Sequence, residues 1–137
     1  MNTILIVALV IAVILIGLIV YNHYRSKNKP EIKKSDKILV LNKKNFLSGT
    51  KSGLVLVDFW AGWCQPCKLM IPVLNDLAET QGENITVAKV NVEREQFLAS
   101  KYKVKNIPTM ILFKDGVEYK RFVGVKTKRV LLKEINS

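Results

Sequence analysis

The chain has 137 residues, 22 basic against 11 acidic, and its apolar content of 49% is inflated by one run, Ile4 to Tyr21, broken only by Gly17. Without that run about 42% is apolar, the share of an ordinary globular domain, so the length accommodates one soluble domain and one hydrophobic appendage and excludes a multi-pass transporter, a two-domain enzyme or a disordered chain. Two cysteines and one histidine exclude a disulfide-stapled mini-protein and a four-ligand zinc site made within one chain from Cys and the lone His23, while the net charge of +11, with no Gly-rich phosphate loop, zinc-finger spacing or aromatic-interleaved basic strand beside it, points to no nucleic-acid partner.

As a helix the run from Ile4 to Tyr21 would be about 27 Å long, near the roughly 30 Å of a hydrocarbon core. It lacks the charged start, the shorter apolar core and the small-x-small site of a cleaved signal peptide, so residues 1–21 are expected to be an uncleaved anchor held in lipid by residues 4–21. Tyr21 and Tyr24 suit the headgroup level, with His23 a bystander between them. No Lys or Arg precedes the span, and Arg25, Lys27, Lys29, Lys33 and Lys34 follow it. That asymmetry predicts a single-pass protein with its domain on the cytoplasmic side, the exoplasmic or periplasmic side being the alternative. These cations are also placed to attract anionic lipid. Residues 22–36, polar, basic and interrupted by Pro30, read as a flexible linker.

From residue 37 onward strand and helix periods alternate. Lys37 to Leu41 is strand-like, and Asn42 to Thr50 reads as an amphipathic turn or helix burying Phe46 and Leu47. Leu54 to Trp60 (LVLVDFW), apolar except at Asp58, has the pattern of a central strand covered on both faces. Met70 to Glu79 carries Met70, Val73, Leu74, Leu77 and Ala78 at helical spacing, Ile85 to Val92 is a strand, and Glu95 to Tyr102 is a short helix. Thr109 to Lys114 and Val117 to Val123 flank Asp115-Gly116, a hairpin signal, and Lys126 to Ile135 closes with a helix presenting Val130, Leu131 and Ile135. The expected fold class is α/β, a mixed central sheet with helices on both faces, over residues 37–137 and after one N-terminal transmembrane helix.

The chemistry lies in Trp63-Cys64-Gln65-Pro66-Cys67-Lys68, where the strongest strand passes into a helix. Residues three apart on a helix bring two sulfurs within reach of a reversible disulfide. At the helix N-terminus the Cys64 thiolate would meet unpaired backbone N–H groups and the positive end of the dipole, lowering its pKa from about 8.5 toward neutrality. Cys64 is therefore expected to be the attacking thiol and Cys67, one turn inside and less exposed, the resolving one. Pro66 fits an early helical position, where its missing N–H removes no bond. A pair of inert buried cysteines, or half of a metal site completed by a second chain, are the competing readings.

With these residues in view the chain resembles the thioredoxin family over about residues 37–137. The resemblance is carried by VDFWA at 57–61, WCQPCK at 63–68, Pro72, AKVNV at 88–92, NIPT at 106–109, FKDG at 113–116 and Gly124. It implies a thioredoxin fold and a thiol-disulfide oxidoreductase that reduces protein disulfides through the redox-active pair Cys64 and Cys67, with no metal and no dissociable cofactor. It further implies that Pro108 is cis and lies against the cysteines, where with Trp63, Gln65, Pro66, Ile107 and Gly124 it forms the surface receiving an extended substrate strand, the turn offering exposed backbone groups for pairing. Asp58 is either a paired structural acid or a buried general base that deprotonates Cys67, modulated by Lys89. The resemblance favours the base. Trp60 and Pro72 read as structural. Gln65 departs from the family's usual Gly and leaves the reduction potential open, while Ile107 before Pro108 leans toward a reductase. The expected partners are protein disulfides and, as electron donor, a thioredoxin reductase or a membrane thiol relay, with the chain itself a monomer. An exoplasmic oxidase or isomerase and a non-catalytic binding module remain as alternatives.

Overall fold

The computed structural model describes residues 2–27 and 35–137, in two units, Met1–Ile32 and Lys33–Ser137. In the first, helix α1 (Asn2–Lys27) is long and apolar enough from Asn2 to Arg25 to cross a membrane. It runs past Tyr21, so residues 22–27 are helical where the sequence reading expected coil. No proline or glycine lies in that stretch, and continuing the helix satisfies the carbonyls that a stop at Tyr21 would orphan. Pro30 and the lysines at 29, 33 and 34 lie outside the described residues.

The second unit is a five-stranded sheet in the order β1-β3-β2-β4-β5, formed by β1 (Leu39–Val40), β2 (Leu54–Trp60), β3 (Thr86–Asn91), β4 (Thr109–Lys114) and β5 (Val117–Val123). The first three are parallel, β4 is antiparallel to β2, and β5 is antiparallel to β4. Helices α2 (Phe46–Thr50), α3 (Gln65–Gln81), α4 (Gln96–Lys101) and α5 (Lys128–Ile135) cover the two faces. Alternation along β2 assigns its residues to opposite sides. Val55, Val57 and Phe59 pack with Phe46 and Leu98, whereas Leu56 packs with Met70, Leu74, Leu77, Leu131 and Ile135. Asp58, two residues from Leu56, therefore faces the α3 side.

Three expectations need correction. The strand read over Lys37 to Leu41 contracts to β1, because ladder pairing with Ala88 and Lys89 of β3 reaches only Leu39 and Val40. Leu47 is 68% exposed rather than buried. Helix α2 is barely more than one turn, so a single row of its side chains faces the sheet, and Phe46 and Thr50, four apart, occupy it. Val130 is exposed for the same geometric reason, with Leu131 and Ile135 taking the buried row of α5. The hairpin turn is as expected. Asp115 and Gly116 both have positive φ, and the Asp115 carboxylate accepts the Gly53 N–H at 2.8 Å, fastening the turn to the start of β2.

Candidate active site

The chain leaves β2 at Trp60 and turns so that the Cys64 N–H donates to the Ala61 carbonyl at 3.2 Å. Cys64 is then the N-cap of α3, and its Sγ accepts the Cys67 N–H at 3.2 Å, with Pro66 in the first turn. Cys64 and Cys67 are joined as a disulfide with their Cα atoms 5.3 Å apart. Both are buried, at 3% and 4% exposure, which corrects the expectation that Cys67 is the more covered. Trp60, Val92 and Ile107 pack against the pair.

The Ile107-Pro108 bond is cis, as the resemblance implied. Ile107 packs against the cysteines, while Pro108 is buried and its carbonyl accepts the Gly124 N–H at 2.8 Å. That acceptor is engaged within the fold, so of the backbone groups expected to await a substrate strand this one is already used. Gly124 holds φ +81°, a conformation costly for any side chain. Trp63, 68% exposed, and the exposed Gln65 and Pro66 lie on the solvent side of the redox pair.

Asp58 is 5% exposed, and its Oδ1 has no hydrogen-bond partner. Burial pushes its carboxyl up to about 7, with the positive charge of Lys89, paired with it in register across β2 and β3, pulling the other way. Asp58 and Lys89 line a cavity of about 210 Å³ together with Cys67, Trp60, Lys68 and Asn75. The structure thus brings Asp58, Lys89 and Cys67 onto one hollow. A carboxyl with an unpartnered oxygen in an apolar hollow is a poor fit to the paired structural acid and a good fit to a group that exchanges a proton near neutrality.

Sequence reasoning missed Glu93. Its Oε2 accepts the Gly62 N–H at 3.2 Å, tying the turn after β3 to the loop that precedes Cys64. No motif marked it, and its only legible signal was its place just beyond the end of the strand beside β2. It also missed Met70 as more than core, since Met70 Sδ accepts the Lys126 N–H at 3.4 Å and so joins the segment after Gly124 to α3. Among the described residues no group of three or more His, Cys, Asp or Glu side chains could hold a metal ion.

A family model described as Thioredoxin matches residues 37–137. A thioredoxin of Mycolicibacterium smegmatis is 52% identical over 84 residues, 60% of this chain and 75% of that protein. One of Chlamydia pneumoniae is 44% identical over 99 residues, 72% of this chain and 96% of that protein. Among solved structures, a mutant thioredoxin from Halobacterium salinarum NRC-1 superposes with a TM-score of 0.68 at 34% identity, covering 76% of this chain and 92% of that one.

Proposed function

The chain belongs to the thioredoxin family and is a thiol-disulfide oxidoreductase, and from that premise we propose that it works as a protein-disulfide reductase held at a membrane by residues 4–21. Family membership implies protein disulfides as substrates and a thioredoxin reductase as the source of electrons. In this reading residues 1–21 are the anchor, 22–36 the connection and 37–137 the catalytic domain.

In the reduced protein the Cys64 thiolate attacks one sulfur of a client cystine. A mixed disulfide forms, and the client's other sulfur leaves as a thiolate that takes up a proton. The Asp58 carboxylate takes the Cys67 proton, the Cys67 sulfur attacks Cys64 Sγ, and the second client sulfur leaves as a thiolate that takes up a proton, while Asp58 gives its proton to solvent. The protein is left with the Cys64–Cys67 disulfide described above, and a donor must return two electrons and one proton to restore the Cys64 thiolate and the Cys67 thiol. No metal or dissociable cofactor is required in this cycle. Trp63, Gln65, Pro66, Ile107 and Gly124 form the face on which the client strand lies, with the buried Pro108 setting the turn beneath it. The observation that carries the proposal is the disulfide at the N-terminus of α3 backed by the hollow that Asp58 and Lys89 share with Cys67.

Equilibration against glutathione buffers tests the direction of flow. A potential near about −270 mV is expected, whereas one near or above about −180 mV would make the protein an oxidant or isomerase.

Anchoring is supported by α1, a helix of 26 residues whose apolar window is left uncovered within its own unit, and it would raise the effective concentration toward membrane-bound clients without any new contact. The positive charges that follow the span favour a cytoplasmic domain. A membrane-impermeant maleimide is then expected to leave Cys64 unlabelled in reduced intact cells and to label it after permeabilisation. Labelling in intact cells would reverse the orientation and make a membrane thiol relay the expected donor.

A further inference from the structure

Three lysines stand within two residues of Cys67, Ile107 and Gly124 in the chain, and we propose that they select client segments in which the cystine is flanked by Asp or Glu; the inference rests on the disulfide-exchange reading above and names the substrate class for that same face. Lys68 follows Cys67 directly and is exposed. Lys105 is exposed two residues before Ile107, which packs on the cysteines. Lys126 is fixed by its N–H on Met70 Sδ, one helical turn beyond Cys67, and stands two residues after Gly124, whose own N–H is bonded to Pro108. Between these cations the surface is apolar, with Trp63, Leu69 and Val125 all exposed.

The four ion pairs among the described residues involve Lys37, Lys120, Arg121 and Lys128, and none involves these three lysines. One carboxylate beside the redox loop, that of Glu93, opposes them and already accepts the Gly62 N–H. Asp58 lies behind the pair and is buried. The face therefore keeps an excess of positive charge around an apolar centre, on a domain that carries 17 basic and 9 acidic residues between 37 and 137.

Rim charges of this kind set encounter rate and partner choice more than final affinity. They act within a Debye length, about 8 Å at physiological salt, which covers the few residues on either side of a cystine. A segment with acidic flanks approaches down the potential, and one with lysine flanks approaches against it. A peptide is the occupant argued for, rather than an anionic lipid surface, because the three cations belong to the segments that carry Cys67, Ile107 and Gly124, on which a client strand would lie.

Three disulfide-bridged peptides of one length, with acidic, neutral or lysine flanks, would be reduced by the full-length protein in a zwitterionic detergent. At low salt the acidic peptide is expected to show a kcat/KM about tenfold above the lysine peptide, shrinking to about twofold in 0.5 M salt. The double variant Lys105→Glu/Lys126→Glu should invert the order while reducing the neutral peptide within about twofold of the parent rate. Equal rates for the acidic and lysine peptides at low salt, or a difference untouched by the double variant, would overturn the proposal. So would equal peptide rates together with suppression of neutral-peptide turnover by anionic vesicles, which would give the face to lipid. Failure to reduce even the neutral peptide would instead sink the exchange reading itself, and the client preference with it.

Discussion

Cys64→Ser is expected to lower the rate of protein-disulfide reduction by more than about 10³-fold, measured as turnover of a cystine-containing protein with a thioredoxin reductase as donor. A serine hydroxyl at the N-cap would still accept the Cys67 N–H, as Sγ does at 3.2 Å, so the helix start should survive and the loss would be chemical. A hydroxyl of ordinary acidity supplies almost no anion at neutral pH, and it forms no bond to sulfur that Cys67 could later resolve. Cys67→Ser separates the two steps. Cys64 can still attack, but nothing expels the client, and a mixed disulfide that runs as a larger band on non-reducing gels should accumulate. A Cys64→Ser protein that keeps its cellular role would favour a binding module using this face as a scaffold. A Cys67→Ser protein that traps no client would remove the roles assigned to the two sulfurs.

Asp58→Asn is expected to change stability and rate in opposite directions. The native carboxyl is raised from its ordinary 3.8 to about 7 by burial. Between these values the folded protein holds a proton that the unfolded chain has lost, so stability falls as pH rises through that window. Below about pH 4 both states are protonated and the penalty is absent. Above about pH 7 both are ionised and it is complete, on the order of 4 kcal/mol. Guanidinium unfolding of the oxidised protein, followed by its tryptophan fluorescence, should show that slope, and Asp58→Asn should abolish it and be the more stable protein at pH 8. The same substitution removes the carboxylate proposed as the base for Cys67. Release of client from the mixed disulfide should slow about 10²-fold and lose the acceleration that the parent shows as pH rises through about 7. A variant that resolves at the parent rate would return Asp58 to a structural role.

Both expectations depend on how a few side chains are surrounded, and that was unevenly legible in the chain. The bounds of β2, β4 and β5 follow from runs whose residue types leave little choice: continuous apolar residues for a strand covered on both faces, and Asp115-Gly116 for a turn that needs two positive φ values. Cys64 and Cys67 were recognisable because three-residue spacing at a strand-to-helix junction already implies a reachable pair of sulfurs. Short elements were less legible. Helix α2 has one buried row, and nothing local says whether Leu47 or Thr50 shares it with Phe46. The sheet decides, because only the chain packed against β2 and β4 shows which azimuth is inward.

The apolar run, the alternation of strand and helix and the pair of sulfurs at the start of α3 were legible in the chain, since each is written in residues close together and governed by local geometry. Packing had to be seen to learn that the Asp58 carboxyl has an unpartnered oxygen beside Cys67 and Lys89, that Glu93 holds Gly62, that Pro108 has already given its carbonyl to Gly124, and that Cys64 and Cys67 are almost equally covered. Those facts join residues distant in sequence. Desolvation and hydrogen-bond satisfaction are properties of everything that surrounds an atom, and no stretch of chain contains its own surroundings.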